Sequence, residues 1–346
     1  MAQRKLLTNG SAFVRTDGRW AGVVWYMDER GSYDRLECTA KHQIYPILGS
    51  KVVGDITSAD VRKLLNHWMN EGYAYTTIKK VYNLLTDYFR YLTQQELIQK
   101  DPMTAAPMIK KANFLAAQGK ENKPTFETVT TFTPEEIERF KAEAYRTWSN
   151  GERIYQQAAA YTLMFNTGLR TGEVLGLLNS DVDLDQRVLH VQRGVKEVSR
   201  RDGVEFTSGR EVKIGKLKSA SSKRDVPLNQ TAIDAILDLR AERYFGEDTP
   251  LIPDENGGYT RPVSFRRRYY RILDAAGIEQ KGLHSIRHTF ATTLVNGIKQ
   301  PDGTIKSLTP RQVADLLGHS TSEITEMYYM KKDTARLSGI TEGFDL

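Results

Sequence analysis

The sequence predicts a multidomain protein, mainly α with small β-sheets: an N-terminal three-stranded sheet, a helical domain, and a larger mixed α+β domain. Three observations carry this. Short strand-like runs parted by the turn signal Asp17-Gly18 open the chain. Apolar residues then recur at helical spacing from Val61 to Leu92. Beyond a lysine-rich stretch with Gly119 and Pro124, helix starts and strand-like runs alternate to the end.

A chain of 346 residues has room for two or three domains with real cores. Its 40% hydrophobic and 27% charged residues are globular proportions. A formal charge of +6 admits nucleic acid as a partner without requiring it. Local runs say more: Arg266-Arg267-Arg268 with Arg271, Lys110-Lys111, and Lys216, Lys218, Lys223 with Arg224. Cys38 is the only cysteine, which excludes an intrachain disulfide and a cysteine-based zinc site and fits a reducing cytoplasm. The longest apolar run, Ala158 to Phe165, is too short to span a bilayer, and the basic start has no sustained apolar region. A cytoplasmic location without a membrane partner is expected.

Residues 11–39 read as three antiparallel strands, SAFVRT, RWAGVVWYM and YDRLECT, with Trp20, Val24 and Tyr26 on one face. Arg15, Arg19 or Arg35 would let such a sheet touch phosphate or a base edge; the plainer reading is a cap that buries Trp20 and Tyr26. Pro46 and Gly49 argue against a long helix between Ala40 and Lys51. Thr57 or Ser58 caps a helix with Val61, Leu64, Leu65, Trp68 and Met69 on one stripe, and Gly72 ends it. A second helix starts near Thr76, with Ile78, Val81, Leu85, Tyr88, Phe89 and Leu92 inward. Thr77, Lys79 and Lys80 stand on its opening polar face, as phosphate contacts or as ordinary surface. Residues 110–130 mix lysines, Gly119 and Pro124 without a period, as a flexible linker does.

Residues 131–346 form one large domain. Thr133-Pro134-Glu135-Glu136 is a helix start: cap, proline, then acids in the first turn. An apolar helix near Tyr155 to Thr167 delivers Gly168-Leu169-Arg170, and Glu173 shares a helix face with Arg170. VLHVQRGV and REVKIGKLKSASSKRDVPL read as strands around an irregular charged connection, residues 194–211. Ser264 caps FRRRYYRILDAAG, which sets Arg266 and Arg267 on a basic face suited to DNA. In HSIRHTFATTLVNG, Ile286, Phe290 and Leu294 form the core stripe, while His284, Arg287 and His288 take another direction. Thr309-Pro310 begins a helix carrying Val313, Leu316 and Leu317, and Gly318 stops it.

Arg170 and Arg287 are permanent cations with planar donor forks, suited to two oxygens of a phosphate. His284 and His319 add hydrogen bonds or move protons. A tyrosine hydroxyl is a weak nucleophile that neighbouring cations activate. Such a set can attack a phosphodiester without metal, and no acidic metal-ligand cluster accompanies it.

Arg170, His284-x-x-Arg287, Gly318-His319 and a tyrosine nine places after His319, in this order, resemble the signature of the tyrosine recombinases, the phage and transposon integrase family. The resemblance runs from about Ser11 onward. It implies a site-specific recombinase or integrase that integrates or excises a mobile element through a 3′-phosphotyrosyl intermediate, with no metal, cofactor or ATP. It casts Tyr328 as nucleophile, with Tyr329 selected instead if one residue is inserted. Lys218 becomes the general acid, with Lys216 and Lys223 as competitors. Glu173 braces an arginine or histidine, and His288 stays structural. Residues 1–40 become an arm-site-binding sheet, 41–109 a core-binding domain, 110–130 the tether that lets two domains close round a duplex, and 131–346 a tyrosine-recombinase catalytic domain. The implied partners are double-stranded DNA attachment sites, three further copies of the chain in a homo-tetramer on DNA, and an excisionase or DNA-bending protein. Two rivals share the fold or the chemistry: a DNA-binding regulator without turnover, and a nicking-and-closing topoisomerase. The completeness of the catalytic set weighs against the first, and the two-domain organisation with an N-terminal sheet against the second.

Overall fold

The structure, a computed structural model, describes residues 11–14, 20–23, 33–121, 129–202, 205–216, 223–299 and 302–329. It divides into two compact units, Met1–Lys123 and Pro124–Leu346. Helices dominate both, joined by small antiparallel sheets. Among the described residues no helix is long and apolar enough to cross a membrane.

In the first unit, β1 (Ser11–Val14) pairs antiparallel with β2 (Trp20–Val23), Val14 opposite Trp20. The expected third strand is not one: α1 (Tyr33–Thr39) is a helix, and it runs on through a π-wound stretch, Ala40–Ile44, into α2 (Tyr45–Leu48). This also corrects the reading that Pro46 bars a long helical stretch here. Proline has no N–H, and its ring presses on the carbonyl four residues back in an α-turn. The wider winding just before Pro46 changes that spacing. Packing rewards the result, because Ile44, Ile47 and Leu48 all join the core of this unit. Local β preference yields to that burial.

Thr57 caps α3 (Ser58–Asn70) in a reciprocal box with Asp60, as its spacing predicts. α4 (Tyr75–Gln94) buries Ile78, Val81, Leu85, Phe89 and Leu92, with Tyr88 half-buried. α5 (Lys111–Ala117) falls inside the stretch read as linker, and its Phe114 is buried in the same core, edge-on to Tyr75.

In the second unit, Thr133 caps α6 (Pro134–Ala144) in a box with Glu136. α7 (Ala159–Thr167) is buried on nearly every side, so its sequence carries little amphipathic signal. After α8 (Thr171–Val174), β3 (Val182–Asp183), β4 (Val188–Val191) and β7 (Arg224–Pro227) form a sheet in the order β3-β4-β7. The described residues of the charged stretch 194–211, expected to be irregular, belong instead to a long antiparallel pair of strands, β5 (Arg193–Asp202) and β6 (Glu205–Lys216). Its alternation was hidden by charge. Val195 and Val212 face the core, and Glu197, directly opposite Val212, is held by Arg261. α9 (Gln230–Glu242) follows.

α10 (Pro262–Ala275) begins at Pro262, so Ser264 lies inside the first turn rather than capping it. Proline's fixed φ suits that first position. α11 (His284–Asn296) departs from its expected stripe. Ile286 is buried and Phe290 and Leu294 are half-buried, yet Arg287 is also inside, 1% exposed. A short hairpin, β8 (Ile298–Lys299) with β9 (Ile305–Lys306), leads to α12 (Pro310–Leu317), capped by Thr309 with Gln312 and stopped by Gly318 at φ 66°. α13 (Ser322–Tyr329) packs on α11 and α12.

Candidate active site

The site is built where three chain segments end against one another. α7 stops at Gly168, whose φ of 63° is left-handed. A side chain there would meet Phe290 of α11 and Leu317 of α12, its Cβ within 2.4 and 2.9 Å of them. The tight turn brings Arg170 to the start of α8. Its backbone N–H donates to Glu173 Oε2 at 2.9 Å, and its guanidinium donates to Glu173 Oε1 at 2.7 Å.

Glu173 is buried, and it gathers more than Arg170. Arg224, at the start of β7, donates to Glu173 Oε2 at 3.0 Å. Arg287 Nη1 stands 4.0 Å from the same oxygen. Burial alone would raise the Glu173 carboxyl; the charge and hydrogen bond of Arg224, then Arg170, outweigh it and hold the carboxyl below its ordinary value. Arg287 is further fixed by donating to Gly168 O at 2.9 Å and Leu317 O at 2.7 Å. It thereby ties the end of α7 to the end of α12, and a cation at a helix C-terminus is favourable. The Arg170 side chain keeps 38% of its surface exposed and forms the accessible edge of this cluster.

Both histidines stand beside these cations. His319 follows the left-handed Gly318, and its backbone N–H donates to Ala314 O at 2.9 Å. Loss of hydration, then the charges of Arg287, Arg170 and Arg224, pull its pKa down to about 4. His284 opens α11 with its ring edge-on to His288, centroids 4.6 Å apart. Loss of hydration, then His288, Arg287 and Arg170, lower it to about 4 as well. His284 is solvent-exposed, so the neighbouring cations are its firmer cause. Both rings are therefore neutral at pH 7.

The structure thus brings Arg170, Glu173, Arg287, His284 and His319 together from segments far apart in sequence. Lys218, Arg15 and Arg19 lie outside the described residues, and so does the tail Met330 to Leu346. Tyr328 and Tyr329 are the last two residues of α13, and their side chains are outside the description too. Thr77 is half-buried at the start of α4, and Lys79 and Lys80 are exposed there. Arg266 and Arg267 are exposed on α10, where with Arg271 and Tyr270 they line a shallow groove. Among the described residues no group of three or more His, Cys, Asp or Glu side chains is gathered as a metal site.

Two members escaped the sequence reading. Arg224 appeared only as part of a basic run, although it shares the inward face of β7 with Val226. Thr325 is wholly buried, and its hydroxyl lies 3.0 Å from His319 Nδ1. A threonine one helical turn before a tyrosine carries no signal of its own.

Comparison with known proteins points to one family. The phage integrase family model matches residues 130–336. A XerC-like tyrosine recombinase of Caldanaerobacter subterraneus subsp. tengcongensis is 28% identical over 287 residues, which is 79% of this chain and 67% of that protein. The integrase of transposon Tn1549, solved with a circular-intermediate DNA, shares the fold at a TM-score of 0.66 and 21% identity, covering 90% of this chain and 92% of that one. The lambda integrase, solved as a tetramer on a Holliday junction, shares it at a TM-score of 0.56 and 16% identity, covering 87% and 73%.

Proposed function

This chain belongs to the phage integrase family and is a tyrosine recombinase, and on that premise we propose how its own residues divide the reaction. The enzyme cuts and rejoins DNA strands at specific sites through a 3′-phosphotyrosyl link, for integration or excision of a mobile element. Tyr328 Oη attacks the scissile phosphorus, the bond to the 5′ oxygen breaks, and Lys218 gives that oxygen its proton. Arg170, His284 and His319 donate to the non-bridging oxygens, and Arg287 adds its charge from beneath while holding the surrounding carbonyls in place. The arriving phosphate brings negative charge to the two neutral imidazoles and raises their proton affinity, which lets one of them accept the tyrosine proton. The freed 5′ hydroxyl of a partner strand then attacks the phosphotyrosine and regenerates the enzyme.

The observation that carries this reading is the convergence on Glu173 of Arg170 and Arg287, more than a hundred residues apart in sequence. Charge for the transition state comes from side chains, so cleavage should survive EDTA. Glu173 braces the cluster. On this reading residues 131–346 are the catalytic domain, 41–109 the core-binding domain, and residues 1–40 serve an arm-type site. Thr77, Lys79, Lys80, Arg266 and Arg267, with Arg15 and Arg19, contact duplex DNA at its attachment sites, through counterion release and hence with a steep salt dependence. Exchange between two duplexes requires four cuts, which calls for a tetramer on DNA, the state in which the lambda integrase was solved. An excisionase or bending protein would set direction. The cytoplasm is the compartment, as the lone Cys38 suits.

The test is a suicide DNA substrate that traps the covalent adduct. Tyr328→Phe should bind DNA normally and form no adduct, while Tyr329→Phe forms it. The opposite pattern moves the nucleophile to Tyr329, and adduct formation by the double variant rejects the mechanism.

A further inference from the structure

Arg224 sits at the junction of three parts of the site. Its backbone begins β7, directly after the residues that carry Lys218. Its Nη2 donates to Glu173 Oε2 at 3.0 Å, the oxygen that also accepts the Arg170 backbone N–H. Its Nε donates to Leu316 O at 2.7 Å, in the last turn of α12. Arg287 holds the next carbonyl, Leu317 O, also at 2.7 Å. Two guanidinium groups therefore grip consecutive carbonyls at the helix end that delivers Gly318 and His319. The Arg224 side chain is 6% exposed, so water screens neither contact.

We propose that Arg224 is a positioning residue for strand cleavage: it locks the end of α12, and with it His319 and the tyrosine helix, in register with the Arg170–Glu173 pair. Its planar fork is what makes this possible, because one rigid group reaches a carbonyl and a carboxylate in fixed directions. A lysine offers the same charge on a flexible stem with donors around one atom. Loss of the fork lets the end of α12 move against Glu173, and a misplacement on the order of 1 Å is enough to slow chemistry about 100-fold. The inference rests on the assignment of His319 and Tyr328 made above.

The experiment uses the full chain with three variants: Arg224→Lys, Arg224→Met and Tyr328→Phe. It measures first-turnover adduct formation on suicide DNA, DNA affinity, and the His319 imidazole titration by NMR. Arg224→Lys should bind DNA within twofold of the parent and cleave about 100-fold more slowly, with His319 still titrating near its parent value. Arg224→Met should cleave no faster and let His319 titrate at higher pH, since a cation that suppresses its protonation is gone. Cleavage by Arg224→Lys within twofold of the parent overturns the proposal. An unmoved His319 titration in Arg224→Met also overturns it, because the residue then does not govern the surroundings of that ring. If Tyr328→Phe still forms the adduct, the underlying assignment has failed instead, and the two failures are told apart.

Discussion

The Thr325 hydroxyl stands 3.0 Å from Nδ1 of His319, and it fastens this imidazole to α13, the helix that carries Tyr328. The bond occupies Nδ1 and leaves Nε2 as the nitrogen available to a phosphate oxygen. It also spans the turn between α12 and α13, so histidine and tyrosine helix move together.

Thr325→Val should uncouple them. The change keeps shape, removes the hydroxyl, and leaves a half-buried ring nitrogen without this partner, at about 1 kcal/mol. Adduct formation should fall roughly 10-fold or more, whereas Thr325→Ser should keep most activity. Equal rates for the valine and serine variants would show that the hydroxyl does not matter.

Stability should fall as pH drops from about 6.5 towards about 4. The sign follows from the two lowered histidines. Between those values the unfolded chain binds protons at His284 and His319 that the folded chain refuses, so folding loses free energy on acidification. Melting temperatures measured from pH 7 to 5 should show this slope, and His284→Asn with His319→Asn should flatten it. The buried carboxylate of Glu173 is lowered too, and its contribution is lost at lower pH, as the medium falls through its folded value. A slope unchanged in the double variant would remove the histidines as its cause.

Glu173→Ala should be among the most damaging single changes to stability. It leaves Arg224 and Arg287, 6% and 1% exposed, facing each other without their shared counter-charge. Removing one partner from a buried ionic group costs about 3–5 kcal/mol. Glu173→Gln should recover part of the hydrogen bonding and none of the charge. Urea midpoints would rank the three proteins, and a Glu173→Ala midpoint near the parent would contradict the arrangement.

Gly168→Ala should destabilise by about 1–3 kcal/mol and slow cleavage. The position is left-handed, and the added methyl presses on Phe290 and Leu317. Because Arg287 binds the Gly168 carbonyl, the shift reaches the site directly. Chemical denaturation and single-turnover cleavage measure the two effects, and a silent substitution would show that the turn has slack.

Lys218→Ala should slow cleavage of an ordinary phosphodiester, and a 5′-bridging sulfur in the substrate should restore the rate. A thiolate leaves without needing a proton, an alkoxide does not. Lys216→Ala and Lys223→Ala serve as controls; rescue confined to either of them would transfer the role.

Much of this was legible in the chain itself. Thr57, Thr133 and Thr309 announce helix starts because a hydroxyl three residues before an acid or amide has a local partner, whatever surrounds it. Arg170 and Glu173 are readable for the same reason. What escaped depends on partners distant in sequence. Tyr33–Thr39 becomes helix because Ile44, Ile47 and Leu48 beyond it find a core. Residues 194–202 and 205–211 pair antiparallel because each strand supplies the other's hydrogen bonds. Arg287 looks like a surface cation on its own helix, and only the carbonyls of Gly168 and Leu317 make the interior habitable for it.

Among the described residues, one carboxylate set among three guanidinium groups leaves this cluster with two positive charges in excess. A phosphodiester in its resting state cancels about half of that, and the five-coordinate state on the way to cleavage, with about two negative charges, cancels nearly all of it. The cluster is thus matched best to the species that exists only while the strand is being cut.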